Sequence, residues 1–158
     1  MDSCSIELPF SPNRLPNETN NDRLERVFKE FDVLINNLLA IKADGKKIVI
    51  PNYGVPNINR AFFDHIIQYN FATGRFNNAR LMACCFLPLV FEHCYVSLCQ
   101  SLHNRVSHNN VKRKTLYCEG KRCAIIFIER ANSIILVTIY HISKKEEHKY
   151  LRTKKAIP

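Results

Sequence analysis

Residues 114–141 read KTLYCEGKRCAIIFIERANSIILVTIYH. Three β-rich runs stand in this stretch, Lys114 to Cys118, Arg122 to Glu129 and Ile134 to His141, separated by Glu119-Gly120-Lys121 and Arg130-Ala131-Asn132-Ser133. Connections that short join antiparallel neighbours, so the stretch predicts a β-meander. Residues 125–128 and 134–137 are apolar without alternation, which places those two strands in the middle of the sheet or buried on both faces.

Upstream the period changes. Leu24, Val27, Phe28, Phe31, Leu34, Ile35, Leu38 and Leu39 recur at three- and four-residue steps, the stripe of an amphipathic helix of about five turns. Asn20 or Asn21 is the expected cap, with Asp22 and Glu25 suited to the positive end. After the turn Ala43-Asp44-Gly45, Lys46 to Ile50 is short, β-branched and stopped by Pro51, as a strand would be. Asn57 opens a second predicted helix with Ile58, Ala61, Phe62, Ile66 and Tyr69 on one face. Residues 78–102 read as helical again, split at Pro88. Helices followed by a meander give the α+β class, with N-terminal helices packed on a C-terminal antiparallel β-meander. Three parts are expected: a Pro/Asn-rich N-terminal arm over 1–20, a single α+β domain over 21–142 and a basic C-terminal tail over 143–158.

Composition removes several classes. The chain has 158 residues, 46% of them apolar, which suits a folded core and argues against disorder throughout. The longest apolar stretch, Leu81 to Leu98, is broken by Pro88, Glu92 and His93, so no membrane span is expected. The start, Met1-Asp2-Ser3-Cys4, lacks the basic and apolar segments of a secretory signal. Seven cysteines in a chain this long read as reduced thiols, hence a cytoplasmic location or delivery into a target cell's cytosol.

The formal charge is +9 and it is not evenly spread. Residues 1–100 balance ten Lys/Arg against ten Asp/Glu, whereas residues 101–158 carry thirteen against four. A cationic C-terminal third attracts phosphates, each neutralised phosphate releasing counterions, so RNA is the leading expected partner. Arg113, Lys114, Lys121 and Arg122 frame a hairpin and are candidate substrate-binding residues, with Arg75 added from the helical part. At the end of the last strand, alternation places Thr138 and Tyr140 on one face with Leu136, and His141 on the other unless a bulge rotates it. Thr, Tyr and His at the rim of a basic sheet suit phosphate binding and proton transfer near neutral pH. His65 stands beside the apolar stripe of its helix and is the remaining candidate acid or base.

A helix bearing His65-Ile66, then Ala72-Thr73-Gly74-Arg75-Phe76, Leu87-Pro88-Leu89-Val90, Tyr117-x-x-Gly120-Lys121 and a final Val137-Thr138-Ile139-Tyr140-His141 resembles the barnase/EndoU/colicin/RelE-like ribonucleases over roughly residues 57–141. The resemblance implies a ribonuclease toxin or effector domain that cleaves RNA without metal. His65 would be the helix histidine, Arg113 and Arg122 the basic strand residues, and Thr138 with Tyr140 or His141 the last-strand polar pair. A base for the 2′-proton, an acid for the 5′-oxygen and cations around the phosphorane are what that chemistry needs.

No metal and no cofactor is expected. Cys94 and Cys99 lie five positions apart on an apolar helix and diverge, which weakens a site with His103 and His108. Four glycines, Gly45, Gly54, Gly74 and Gly120, form no phosphate loop. Two other readings use the same features. One is a non-catalytic nucleic-acid-binding module, the other a protein-binding effector, adaptor or immunity protein whose basic surface meets an acidic partner such as a cognate inhibitor or host target.

Overall fold

Thr19, rather than Asn20 or Asn21, caps helix α1 (Asn20–Leu39) in the computed structural model, which describes residues 6–43, 45–93, 113–118 and 121–147, and the strand path alone at 104–108. Thr19 Oγ1 accepts from the Asp22 N–H at 3.0 Å, and Asp22 Oδ2 accepts from the Thr19 N–H at 3.3 Å. This reciprocal box fixes the helix start one residue earlier than composition implies. The apolar stripe is buried as its spacing predicts, with Phe31, Ile35 and Leu38 fully enclosed.

The N-terminal arm is fastened to α1. Arg23 donates to the Pro12 carbonyl at 2.8 Å, and Arg26 to the Ser11 and Asn13 carbonyls at 2.7 Å each. Ile6, Leu8 and Phe10 pack on the core beneath. Arg26 also pairs with Glu18 at 2.7 Å, and that hydrogen bond, with a second from the Leu15 N–H, holds the Glu18 carboxyl down at about 2.

The remaining elements are β1 (Lys42–Ala43), β2 (Lys46–Val49), α2 (Ile58–Ile67), α3 (Asn78–Ala83), α4 (Phe86–Phe91), β3 (Asn104–His108), β4 (Arg113–Cys118), β5 (Cys123–Glu129) and β6 (Ser133–His141). They confirm the α+β class and correct its topology. The sheet has the order β1-β2-β6-β5-β4-β3 and is mixed, because β2 runs parallel to β6 through Lys47↔Ser133, Ile48↔Ile134 and Val49↔Ile135. Strands therefore interrupt the helices, and the meander is one part of the sheet. A four-residue run shows in sequence that it is a strand, but not which distant strand it will join.

Two further corrections concern the helices. The break in the third helical stretch falls at Cys84-Cys85, and Pro88 is the third residue of α4, within a first turn whose N–H groups have no intrahelical acceptor. Beyond, Asn104–His108 is an edge strand paired with β4, where no element was expected. Only Val106 among its five residues is apolar, so it carries no periodic signal. Residues 94–103, including Cys94, Cys99 and His103, lie outside the described residues, as do the His108 side chain and residues 148–158.

One sheet face packs under the helices through Leu116, Ile125, Phe127, Ile134, Leu136 and Ile139, with Phe91 edge-on to Phe127 at 5.5 Å. The other carries Tyr117, Ala124, Tyr140 and Ile142. Tyr117 donates its hydroxyl to Glu147 at 2.7 Å, so the start of the tail, a helical turn at 144–147 opened by Ser143, folds back on that face. The meander's middle strand β5 is buried on both faces, as its unbroken apolar run predicts.

Among the described cysteines, Cys118 differs from expectation. Cys118 is disulfide-bonded, whereas Cys84, Cys85 and Cys123 are free. Count and chain length say nothing about which thiols meet, so the general expectation of reduced cysteines fails there. Burial pushes the Cys123 thiol up to about 12 and raises Cys84 as well, which leaves both unreactive. Among the described residues, no helix is long and apolar enough to cross a membrane.

Candidate functional site

Strand β2 covers the outer edge of β6 only from Ser133 to Ile135. Beyond that point α2 and α3 pack beside β6, and between them opens a cavity of about 1080 Å³. The local sequence builds its wall. Asn57 caps α2 by accepting from the Arg60 N–H at 3.1 Å, and Gln68 ends the helix in the left-handed conformation at φ 57°. That reversal turns the chain into a closed loop. Asn70 Oδ1 accepts from the Ala72 and Thr73 N–H groups at 2.9 and 3.2 Å, and Gly74, at φ 72°, donates to the Asn70 carbonyl at 2.7 Å. Gly supplies the positive φ there without steric cost.

The loop presents aromatic surface. Tyr69 and Phe71 stack edge to face with centroids 4.8 Å apart, and Phe71 is 80% exposed. In the lining of the same cavity, the Tyr53 and His65 rings lie with centroids 5.3 Å apart at 32°. Partial burial raises the Tyr53 phenol above its ordinary range, so it keeps its proton. An aromatic as exposed as Phe71, held outward by a hydrogen-bonded loop, is surface that a flat ligand can cover.

Three arginines, Arg60, Arg80 and Arg113, line the cavity against one acid, Asp64. They are not equivalent. Arg60 donates to Asp64 at 2.9 Å and to both Glu25 oxygens at 2.6 and 2.8 Å, with its guanidinium over the Phe28 and Phe63 rings. Burial works to lower its pKa, but the two carboxylates prevail and raise it. Asp64 is pushed up by burial despite Arg60. Arg80 has no carboxylate partner among the described residues. Its Nη1 donates to the Ile66 carbonyl at 3.2 Å and to Thr138 Oγ1 at 3.4 Å, and its guanidinium lies 5.6 Å from the Tyr140 ring centroid. Burial lowers its pKa.

Of the residues singled out from sequence, His65, Thr138 and Arg113 line this one cavity. Tyr140 stands behind it, under Arg80. His141 does not join them. Ile126 pairs with Thr138 but Phe127 with Leu136, so Val137 is an extra residue, a β-bulge that reverses the alternation. Leu136, Ile139 and His141 thereby share the helix-side face, against the simple alternation, and His141 lines a separate cavity of about 380 Å³ with Lys121, Phe86 and the arm residues Leu8 and Phe10. Lys121 lies over the Phe86 ring at 5.4 Å and 3.6 Å from Glu7. Lys114 pairs with Glu129, which also takes Lys46 at 2.8 Å. Arg122 sits at φ 50° in the β4–β5 turn, and Arg75 is exposed on the α2–α3 loop, neither in the cavity.

Sequence reasoning passed over Tyr53, Phe71 and Arg80. The usable signal was aromatic residues inside loops rich in Pro, Gly and Asn, where apolar burial does not explain them. Among the described residues no group of three or more His, Cys, Asp or Glu side chains could hold a metal. Comparison with known proteins finds no matching family model, curated protein or solved structure.

Proposed function

We propose that this cavity is a binding cleft for single-stranded RNA. The observation that carries the reading is the convergence of stacking surface, Tyr53, Tyr69 and Phe71, with Arg80 and Arg113 in one cleft. Bases stack on aromatic faces while guanidinium groups hold the phosphates, and stacking tolerates any base. The cationic last third of the chain adds long-range attraction.

Cleavage is the second reading, favoured by His65 and Thr138 lining the same cleft as two arginines. His65 would take the proton of a 2′-hydroxyl as its oxygen attacks phosphorus. Arg80 and Arg113 would hold the phosphorane charge, and protonated Tyr53 would give its proton to the departing 5′-oxygen, leaving a 2′,3′-cyclic phosphate. No metal enters that scheme. The setting would be an RNA-directed toxin or effector acting in a cytosol, and the Cys118 disulfide suits a chain that first meets an oxidising compartment.

The test is anisotropy of a labelled oligouridine with purified protein in chelator. If Arg80 and Arg113 neutralise two phosphates, affinity should fall about sevenfold between about 50 and about 200 mM salt, more if the tail contributes. No binding at the lower salt, or binding indifferent to salt, overturns the reading in favour of a protein partner. In the same tubes, RNA ends carrying cyclic phosphate, lost in His65→Ala while binding persists, are the expected signature of cleavage. Equal cutting by His65→Ala would remove His65 from it.

A further inference from the structure

Arg60 is satisfied by Glu25 and Asp64, but Arg80 presents donors that no group among the described residues takes. A guanidinium carries five N–H donors. The hydrogen bonds of Arg80 to Ile66 and Thr138 both leave from Nη1, so the Nε and Nη2 edge, the side that grips an anion with two parallel bonds, has no partner among the described residues. The group is also held still. Ile66 fixes it from α2, Thr138 from β6, and the Tyr140 ring lies against it. A guanidinium oriented in advance, with no counter-ion among the described residues, loses little freedom on capturing an anion. Tyr69 and Phe71 line the same cleft, and the exposed Phe71 ring, braced edge to face by Tyr69, offers an apolar surface on which a base can stack.

We infer that Arg80 is the phosphate seat of the cleft and that the bound unit is a nucleotide, its phosphate on the Nε and Nη2 edge of Arg80 and its base on the exposed Phe71 ring. The inference rests on the RNA reading and narrows it, because a phosphate seat beside one stacking platform also takes a free monophosphate. Phosphate can come from a mononucleotide or from a strand, and the probes separate the two.

Calorimetric titration with adenosine 5′-monophosphate and with adenosine is the experiment. The monophosphate is expected to bind at least about tenfold tighter than adenosine, as a charge-assisted bidentate contact provides. Arg80→Gln should abolish that difference while leaving adenosine affinity unchanged. Phe71→Ala, at a position exposed enough to spare the fold, should weaken both ligands alike, by about tenfold. On the unaltered protein, inorganic phosphate should compete with the monophosphate and not with adenosine. Equal affinity for the two ligands, or a preference that survives Arg80→Gln, overturns the inference. Oligouridine binding without a monophosphate preference overturns the seat and leaves the RNA reading standing. A monophosphate preference without oligouridine binding does the reverse.

Discussion

Arg60→Ala is expected to destabilise the protein by about 2–3 kcal/mol at neutral pH, less than the about 3–5 kcal/mol that breaking a fully buried ion pair costs, because Arg60 keeps some exposure. The substitution removes both carboxylate contacts of the guanidinium and its packing over Phe28 and Phe63. It also leaves Asp64, 8% exposed, without the charge that holds its proton affinity down. The pH dependence has a definite sign. Burial already raises the Asp64 carboxyl above its unfolded value, so its ionisation weakens the fold as pH rises through that window. Without Arg60 the carboxyl rises further, and the penalty relative to the unaltered protein should be larger at neutral pH than in mild acid, where Asp64 is protonated. Urea unfolding at the two pH values measures this. Adding Asp64→Asn should recover most of the neutral-pH loss. A penalty independent of pH and untouched by Asp64→Asn would assign the effect to packing alone.

Phe31→Ala is expected to cost more, about 3–5 kcal/mol, the range for emptying a fully enclosed aromatic site. Phe31 is wholly buried, with its ring 6.1 Å from Phe62 and 5.4 Å from Phe63, so it joins α1 to the helix that carries His65. A loss of that size approaches the whole stability of many domains. The variant should therefore unfold at markedly lower urea and lose the α2 wall of the cleft with it. Val33→Ala is the control on the same helix. Val33 is 58% exposed, and its truncation should change stability by less than about 0.5 kcal/mol.

What sequence made legible was local. The stripe from Leu24 to Leu38 and the apolar run of β5 are periodic over enough residues to name the element and its buried face. The parallel contact of β2 with β6 is decided by packing between segments more than eighty residues apart, for which residues 46–49 carry no signal. The bulge at Val137 is one inserted residue, yet it puts Leu136 on the face of Ile139 and His141 and opposite Thr138, while Thr138 and His141 lie on opposite faces as plain alternation has them.

Charge was legible as a total and misleading as a map. The excess belongs to the last 58 residues, but two of the three cleft arginines, Arg60 and Arg80, come from the balanced part of the chain. Their roles diverge because Glu25 and Asp64 reach one and not the other. Nothing in the spacing of Arg60 and Arg80 announces that difference. His65, Thr138 and Arg113 were visible by residue type, whereas Tyr53 and Phe71 become meaningful only when the loops that carry them are seen to close around one space.

The most direct test of the cleft is to map bound RNA on the folded protein. With isotopically labelled protein and a short oligouridine in chelator at low salt, amide and side-chain shifts should concentrate at Tyr53, His65, Tyr69, Phe71, Arg80 and Thr138, with small changes in the tail. Shifts confined to residues beyond Ser143, leaving those six unmoved, would contradict the cleft as the RNA site and assign binding to the diffuse charge of the tail.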